Sequence, residues 1–432
     1  MKKIVLIILL VFTATFSFAQ AKVNDELKGL ISQSFTYFPK VKEVENTVAT
    51  AQQKILLTEI AKAPNVNYEA SYTFVEPKIL IPFPLGPGGA LVNFQFAPVH
   101  NVATDVNANY ALFDFGRIKA NVTRSKDDLK YAQHNVEFVK NQLASQVSNI
   151  YYNIVYLKEA IAIQDSVLKF LDDNRIITEN KLKNGDALKI DLLNILSSYD
   201  AEENRKVDLQ NNLDKQLNLL EYTTGIRKNT GKAFDFDVTL ADADAAFSTA
   251  QANNVDFLLA KDKIKQSESD LGIAKLGNKP SVDLRAAGGF KNGYIPDVNE
   301  IKFNYYAGIS FSVPIYNGGK TKQQVKLQEN LIRQNQLNEE SLNSNYKKDI
   351  NQALTDIKSN YERISNTKGQ IEQAKVAQEL AATRFKNGVG TNLELTNAST
   401  NVQRAALTKL QYEYQLCIAK LELARLMGYQ YW

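Results

Sequence analysis

The side chains able to do acid–base, nucleophilic or metal chemistry are few in this chain, and they are scattered. It has two histidines, His100 and His134, and one cysteine, Cys417. The histidines lie in different elements and neither belongs to a metal-spacing motif. No nucleophile elbow or phosphate loop accompanies them. The sequence therefore offers no catalytic residue, no metal ligand set and no cofactor site, and Cys417 reads as a small apolar residue. What does recur is a carboxylate beside a glycine. Asp191 lies six residues past Gly185, and Glu394 lies six past Gly388. In the bland reading these acids sit at solvated helix N-termini, where negative charge is favoured.

The elements that must position them repeat at one offset. Gly116, Gly185 and Gly225 recur as Gly319, Gly388 and Gly428, each 203 residues on, and Lys183-Asn184-Gly185 returns as Lys386-Asn387-Gly388. A fixed offset argues for a duplicated unit. No proline falls between Pro98 and Pro280 or after Pro314, so these are the zones open to long helices. From Arg117 to Lys183 apolar and small residues alternate at spacings of four and three. Val122, Leu129, Val136, Leu143, Val147, Ile150 and Ile154 lie on this seam, and Val325, Ile332, Tyr346, Ile350 and Ile357 follow in the second copy. A helix filling the interval between Gly116 and Gly185 would be about 100 Å long. Shorter helices are expected at about 40–63 and 254–278, and at 186–224 and 389–427. Laid end to end, each such pair nearly equals the long helix, which suggests a stacked rod beside it.

Two alternating runs separate the lead-in helix from the long helix in each copy. Val66, Tyr68, Ala70, Tyr72 and Phe74 oppose Asn67, Glu69, Ser71 and Thr73, and a matching run follows from Val102 to Leu112. In the second copy the runs are Val282 to Phe290 and Tyr305 to Val313. Period-two alternation means strands with one apolar and one polar face. They are expected at about 65–76, 102–113, 281–290 and 304–314. Such strands suit a soluble sheet capping a coiled coil. They also suit a transmembrane barrel, whose strands need about 9–11 residues. Four strands cannot close a barrel around a water-filled pore, whereas three chains would supply twelve.

The organisation reads as follows. Residues 1–19 form a cleaved signal peptide: Lys2-Lys3, an apolar run from Ile4 to Val11, and a small-x-small site at Ser17-Phe18-Ala19. Residues 20–225 are the first repeat, 226–253 a linker with a short equatorial region, and 254–432 the second repeat. With no cysteine near the cleavage site, the chain is not expected to be a lipoprotein. The formal charge of +4 falls to +2 without Lys2 and Lys3, which gives no reason to expect nucleic acid as a partner. The segment 78–101, apolar and rich in turn formers, is expected to be an external loop.

Two segments then carry a resemblance. Val313-Pro314-Ile315-Tyr316-Asn317-Gly318-Gly319-Lys320 looks like the strand-to-helix corner of the TolC-like outer-membrane efflux channels, and Arg384-Phe385-Lys386-Asn387-Gly388 like their helix-turn-helix tip. Weaker copies are Leu112-Phe113-Asp114-Phe115-Gly116-Arg117 and Lys181-Leu182-Lys183-Asn184-Gly185. The resemblance covers nearly all of the mature chain. It implies a mainly α protein with membrane β-structure: a homotrimer with a 12-stranded β-barrel in outer-membrane lipid, on a long α-helical barrel in the periplasm. It implies a passive exit duct of a tripartite efflux or type I secretion system, docked on a periplasmic adaptor protein and an inner-membrane pump, and not an enzyme. By this resemblance Asn184, Gly185, Arg384, Asn387 and Gly388 belong to the docking tip. Asp191 and Glu394 become a pore-mouth carboxylate ring, with Glu394 matching a pore-facing acid of the family. Gly116, Pro314, Gly318 and Gly319 form the strand-to-helix corners. Where the best-known relative locks its gate with a tyrosine and an arginine, this chain has Phe385 and Gly390. Either the closed gate is held by other contacts or it is looser, and Arg384 is one place to look for a substitute. The competing reading is a soluble periplasmic coiled-coil scaffold or adaptor.

Overall fold

A computed structural model describes residues 21–432. The expected signal peptide, 1–19, lies outside the described residues. The elements run in chain order as α1 (Asp25–Tyr37), α2 (Pro39–Ile60), β1 (Asn65–Phe74), β2 (Leu80–Pro84), β3 (Leu91–Gln95), β4 (His100–Phe113), α3 (Arg117–Asn184), α4 (Lys189–Thr224), α5 (Ala243–Asn253), α6 (Val255–Lys275), β5 (Ser281–Lys291), β6 (Lys302–Ser312), α7 (Lys320–Lys386) and α8 (Asn392–Leu426). The 68-residue α3 and 67-residue α7 dominate a mainly helical chain. Among the described residues no helix is long and apolar enough to cross a membrane.

The chain divides into two compact units. One takes residues up to Asn46, Gln133–Ala260 and Asn338–Trp432. Its core follows the four-three seam. Leu143, Val147, Ile150 and Ile154 on α3 are buried, and so are Tyr346, Ile350, Ala353 and Ile357 on α7, each 203 residues further on. Burying one large aliphatic side chain is worth about 1.5–3 kcal/mol, so each seam is a chief source of stability. Around it close α1, whose cap residue Asn24 accepts the Leu27 N–H at 2.7 Å, and the C-terminal end of α8. The chain's last aromatics complete this core: Tyr431 meets Phe236 edge-on at 5.4 Å and Trp432 meets Phe35 at 5.8 Å. The linker is partly structured, with α5 and a bridge between Lys22 and Asp237. Burial pushes the Cys417 thiol up to about 12, so it stays protonated and unreactive at neutral pH.

The second unit takes Thr47–Ala132 and Lys261–Leu337. Here the helices are held by polar contacts more than by a wide apolar core. Arg124 Nε donates to Asp270 at 2.8 Å, Gln266 donates to Asp128 at 2.8 Å, and the Asn335 amide reaches Ser267 Oγ at 2.8 Å. Beyond them lies an antiparallel sheet in the order β1-β4-β5-β6, with β1 and β6 as its edges. The registers Tyr68↔Val106, Val106↔Gly288 and Gly288↔Tyr305 put the apolar runs of all four strands on one face. That face is bare in the single chain, with Tyr68 69%, Tyr305 80% and Ile309 70% exposed. The other face carries Glu69, Asp105, Asp283 and Arg285.

The segment 78–101 is no plain loop. It contains a separate hairpin, β2–β3, paired from Leu80↔Gln95 to Pro84↔Leu91. Two prolines inside β2 hide this strand from a propensity reading, yet a strand tolerates proline where its nitrogen faces away from the partner. Residues 79 and 85 bond residues 96 and 90. Pro82 and Pro84, of opposite parity, therefore turn their nitrogens to the free edge.

Sheet packing is tightest at Gly289, where an added Cβ would lie 1.8 Å from the Thr104 carbonyl oxygen. Gly308, on the next strand, has nothing within 4 Å. Gly289→Val is expected to destabilise the protein by about 1–3 kcal/mol, and Gly308→Ala to change stability by less than about 0.5 kcal/mol. Denaturant unfolding of the two variants measures the difference.

Candidate functional site

The four expected site regions fall in two places, the strand-to-helix corners and the helix-turn-helix turns. At the corners both copies need left-handed backbone. Gly318 and Gly319 adopt φ of 66° and 76° without penalty. At the positions 203 residues earlier stand Phe115, φ 54°, and Gly116, φ 91°. A phenylalanine there costs roughly 1–2 kcal/mol of backbone strain. The local sequence offsets it. Asp114 accepts the N–H of Gly116 at 2.9 Å and of Ile118 at 2.5 Å, which caps α3 and fixes the bend. The Phe115 ring packs edge-on against Phe113 at 4.6 Å. The second corner is tied by side-chain amides instead. Asn317 donates to Asn278 Oδ1 at 2.7 Å and to Thr321 Oγ1 at 2.8 Å. Pro314 lies in the irregular stretch after β6, beside the bare Ile315 and Tyr316.

The two turns share one backbone design. At the first, Gly185 (φ 83°) donates to Leu182 O at 3.2 Å and Asp186 donates to Lys181 O at 2.8 Å. At the second, Gly388 (φ 78°) donates to Phe385 O at 3.2 Å and Val389 donates to Arg384 O at 3.0 Å. This pair of bonds is a Schellman cap, which needs a left-handed residue at the glycine. Asn184 and Asn387, the last turn residues before each glycine, are exposed.

Side chains are used differently at the two turns. The Asp191 carboxylate accepts the Leu188 N–H at 3.1 Å, an N-terminal cap within its own helix. The Glu394 N–H is capped by Thr391 Oγ1 at 3.2 Å, which leaves the Glu394 carboxylate to the solvent and to Arg384 Nε, 3.8 Å away. Both partners of this pair are more than half, or half, exposed. The guanidinium also reaches Val389 O at 3.3 Å. Gly390 has no room for a side chain, since a Cβ would approach Arg384 Cβ to 2.9 Å.

The structure brings the turns into contact. Lys181 donates to the Phe385 carbonyl and its ammonium sits 4.6 Å from the Phe385 ring centroid. Asn392, buried, donates to the Asp191 carbonyl at 3.2 Å. Phe385 is itself buried and so packs between the helices instead of facing solvent. A set of residues not singled out by motif lies bare around both turns: Leu188, Ile190, Val389 and Leu393. Their signal in the sequence is apolar character outside the four-three seam, in the turn or at the first positions of the helix that follows it. Among the described residues no group of three or more His, Cys, Asp or Glu is placed to hold a metal ion.

The two kinds of contact differ in expected cost. Phe385→Ala removes a buried aromatic and is expected to cost about 3–5 kcal/mol locally, seen as lost hydrogen-exchange protection in the segments around 178–195 and 380–400. Arg384→Ala breaks an exposed pair and should cost at most about 1 kcal/mol. Asp114→Ala, at the first corner, is expected to cost about 0.5–2 kcal/mol and to free the amides of Gly116 and Ile118 for exchange.

Comparison with known proteins bears on what this arrangement serves. Residues 30–225 and 246–429 match the family model described as outer membrane efflux protein. The chain is 22% identical over 432 residues to the outer membrane protein TolC of Escherichia coli, covering 92% of this chain and 85% of that protein. It is 20% identical over 418 residues to the cation efflux system protein CusC of Escherichia coli, covering 94% and 86%. The fold is that of the outer membrane protein VceC from Vibrio cholerae, with a TM-score of 0.76 at 16% identity over 94% of this chain and 97% of that one. With the family match in two blocks that span most of its length, the chain belongs to the outer membrane efflux protein family.

Proposed function

We propose that this protein is the passive exit duct of a tripartite efflux or type I secretion system: a homotrimer whose four strands per chain close a 12-stranded barrel in the outer membrane. The observation that carries this reading is the open sheet. Its edges β1 and β6 have no partner strand among the described residues, and one face is apolar and bare. In a bilayer every backbone polar group must be satisfied by protein, so a four-stranded sheet with two free edges is untenable there until other copies close it. Strands of 10, 14, 11 and 11 residues suit the thickness of the hydrocarbon. The duplicated helix–strand–strand–long helix–helix order, read as 20–225 and 254–432, gives each chain two corners and two turns. Helices of 68 and 67 residues supply about 100 Å of contour each, enough for a periplasmic tunnel.

In this reading the turns form the periplasmic tips that meet an adaptor protein, which in turn serves an inner-membrane pump. Asn184, Gly185, Asn387 and Gly388 shape the docking surface, and the bare Leu188, Val389 and Leu393 give it apolar area. Asp191 and Glu394 ring the inner mouth. The geometry divides their parts: Asp191 also serves as a helix cap, and the charge of Glu394 is balanced by Arg384 beside it. The duct does no chemistry; cargo is chosen where energy is supplied, at the pump.

The duct reading expects the protein in the outer-membrane fraction as a trimer, and its deletion should sensitise cells to exported drugs, metals or block a secreted protein. Recovery only as a soluble periplasmic protein would favour a scaffold and overturn it. In planar bilayers Glu394→Gln should lower the preference for cations and Arg384→Ala should raise it. Unchanged reversal potentials in both would remove the carboxylate ring while leaving the duct.

A further inference from the structure

The β2–β3 hairpin has no task in the duct described above. It begins just past Val75, whose N–H bonds Val99 O at 2.9 Å as the last rung beyond β1 and β4. The ten residues of β1 already span a bilayer's hydrocarbon. The hairpin therefore stands beyond it, at the end of the barrel away from the corners. Yet no charged residue occurs between Lys78 and His100. The pairs Ile81↔Phe94 and Phe83↔Val92 gather large apolar side chains on one face. That face, with Ile295 and Pro296 of the β5–β6 turn, lines an open cleft of about 400 Å³. It remains uncovered: Phe83 is 67% and Leu85, at its tip, 70% exposed. A contiguous apolar face left open to water is the kind of surface that marks an interaction site.

Three considerations select the occupant. Strand addition is blocked, because Pro82 and Pro84 remove donors from the free edge of β2; the occupant must meet the face. With no charge to steer or orient it, the face suits a surface like itself. The hairpin also rises directly from β1, an edge strand and so a border with the next copy. Reach agrees with this. Twelve strands about 4.8 Å apart, tilted about 40°, give a barrel radius of roughly 12 Å. Five-residue strands reach roughly 17 Å, so a hairpin folded over the rim can meet its counterparts at the axis.

We propose that in the trimer the three β2–β3 hairpins pack their Ile81–Phe83–Phe94 faces against one another and form an apolar plug over the external mouth, an inference that rests on the trimeric duct. The plug makes the outer end of the duct a second barrier to small polar solutes. Larger cargo arriving from inside displaces it by separating the three faces.

The test is oxidative cross-linking in outer-membrane vesicles. A Leu85→Cys variant places one accessible thiol at each tip, while the buried, protonated Cys417 stays silent. Copper–phenanthroline should give covalent dimers involving up to two thirds of the chains, since one disulfide joins two of three copies. Adding Phe83→Asp should lower dimer yield at least tenfold with the trimer retained; Phe94→Asp is the substitute if Phe83→Asp does not assemble. A trimer whose tip thiols stay uncross-linked overturns the plug and leaves the duct standing. Those thiols shielded from a charged maleimide would indicate lipid on the face, and reactive ones a face left open to another partner. A Leu85→Cys protein that, like the unaltered chain, is monomeric in the membrane overturns plug and duct together.

Discussion

An unclosed sheet is the constraint on which the rest of this structure depends. Four strands with bare apolar residues on one face and unpaired backbone on both edges have no stable environment as a single chain. Lipid satisfies the face but not the edges; water satisfies the edges but not the face. In the duct reading proposed above, closure with strands of further copies inside a membrane satisfies both. With that closure the polar residues on the opposite face would line water, and every other element would have to leave the barrel through its rim. The corners are the places where this happens, and left-handed backbone is the means.

The two corners reach the same bend by different routes. Gly318-Gly319 has no Cβ to strain, and the neighbouring amides need only tie the loop down. Phe115-Gly116 accepts strain at Phe115 and recovers it through two hydrogen bonds to Asp114 and a ring contact to Phe113. The side chains of the two corners differ while their left-handed backbone is shared, as the sharp join between strand and helix demands. The helix seams behave alike. Leu143, Val147, Ile150 and Ile154 differ in type from Tyr346, Ile350, Ala353 and Ile357 at three of four positions, yet all eight are buried. What must persist there is burial, not identity.

This division also explains what the sequence made legible. Helix seams and strand alternation are local periodicities, so the mainly helical character and the four long strands with one apolar face could be read without coordinates. The β2–β3 hairpin could not, since proline argues against a strand unless its nitrogen is known to face outward, and that depends on register. At the turns, glycine spacing marked where helices reverse. It did not disclose that Phe385 is buried under Lys181, nor that Asp191 spends its carboxylate on the Leu188 amide. Both are contacts between segments or choices among local acceptors, and one-dimensional spacing contains neither. The bare Leu188, Val389 and Leu393 were visible as letters but not as a surface.

The turns show how one backbone motif supports two electrostatic roles. Lys181 and Arg384 stand 203 residues apart and both offer a carbonyl to the Schellman cap. Lys181 sends its charge across to the other hairpin, onto a carbonyl and an aromatic face; Arg384 keeps its charge beside Glu394 on its own hairpin. At the turns themselves the contacts between the two hairpins thus end on neutral acceptors, the carbonyls of Phe385 and Asp191, the second from the neutral donor Asn392. Neutral acceptors are weakly affected by ionic strength, whereas an exposed ion pair at 3.8 Å is readily screened. Cohesion of the turns and the charge they present are therefore separable. The hairpins can stay together while the Arg384–Glu394 pair opens, so the charge at this end can change without dismantling the helices that carry it.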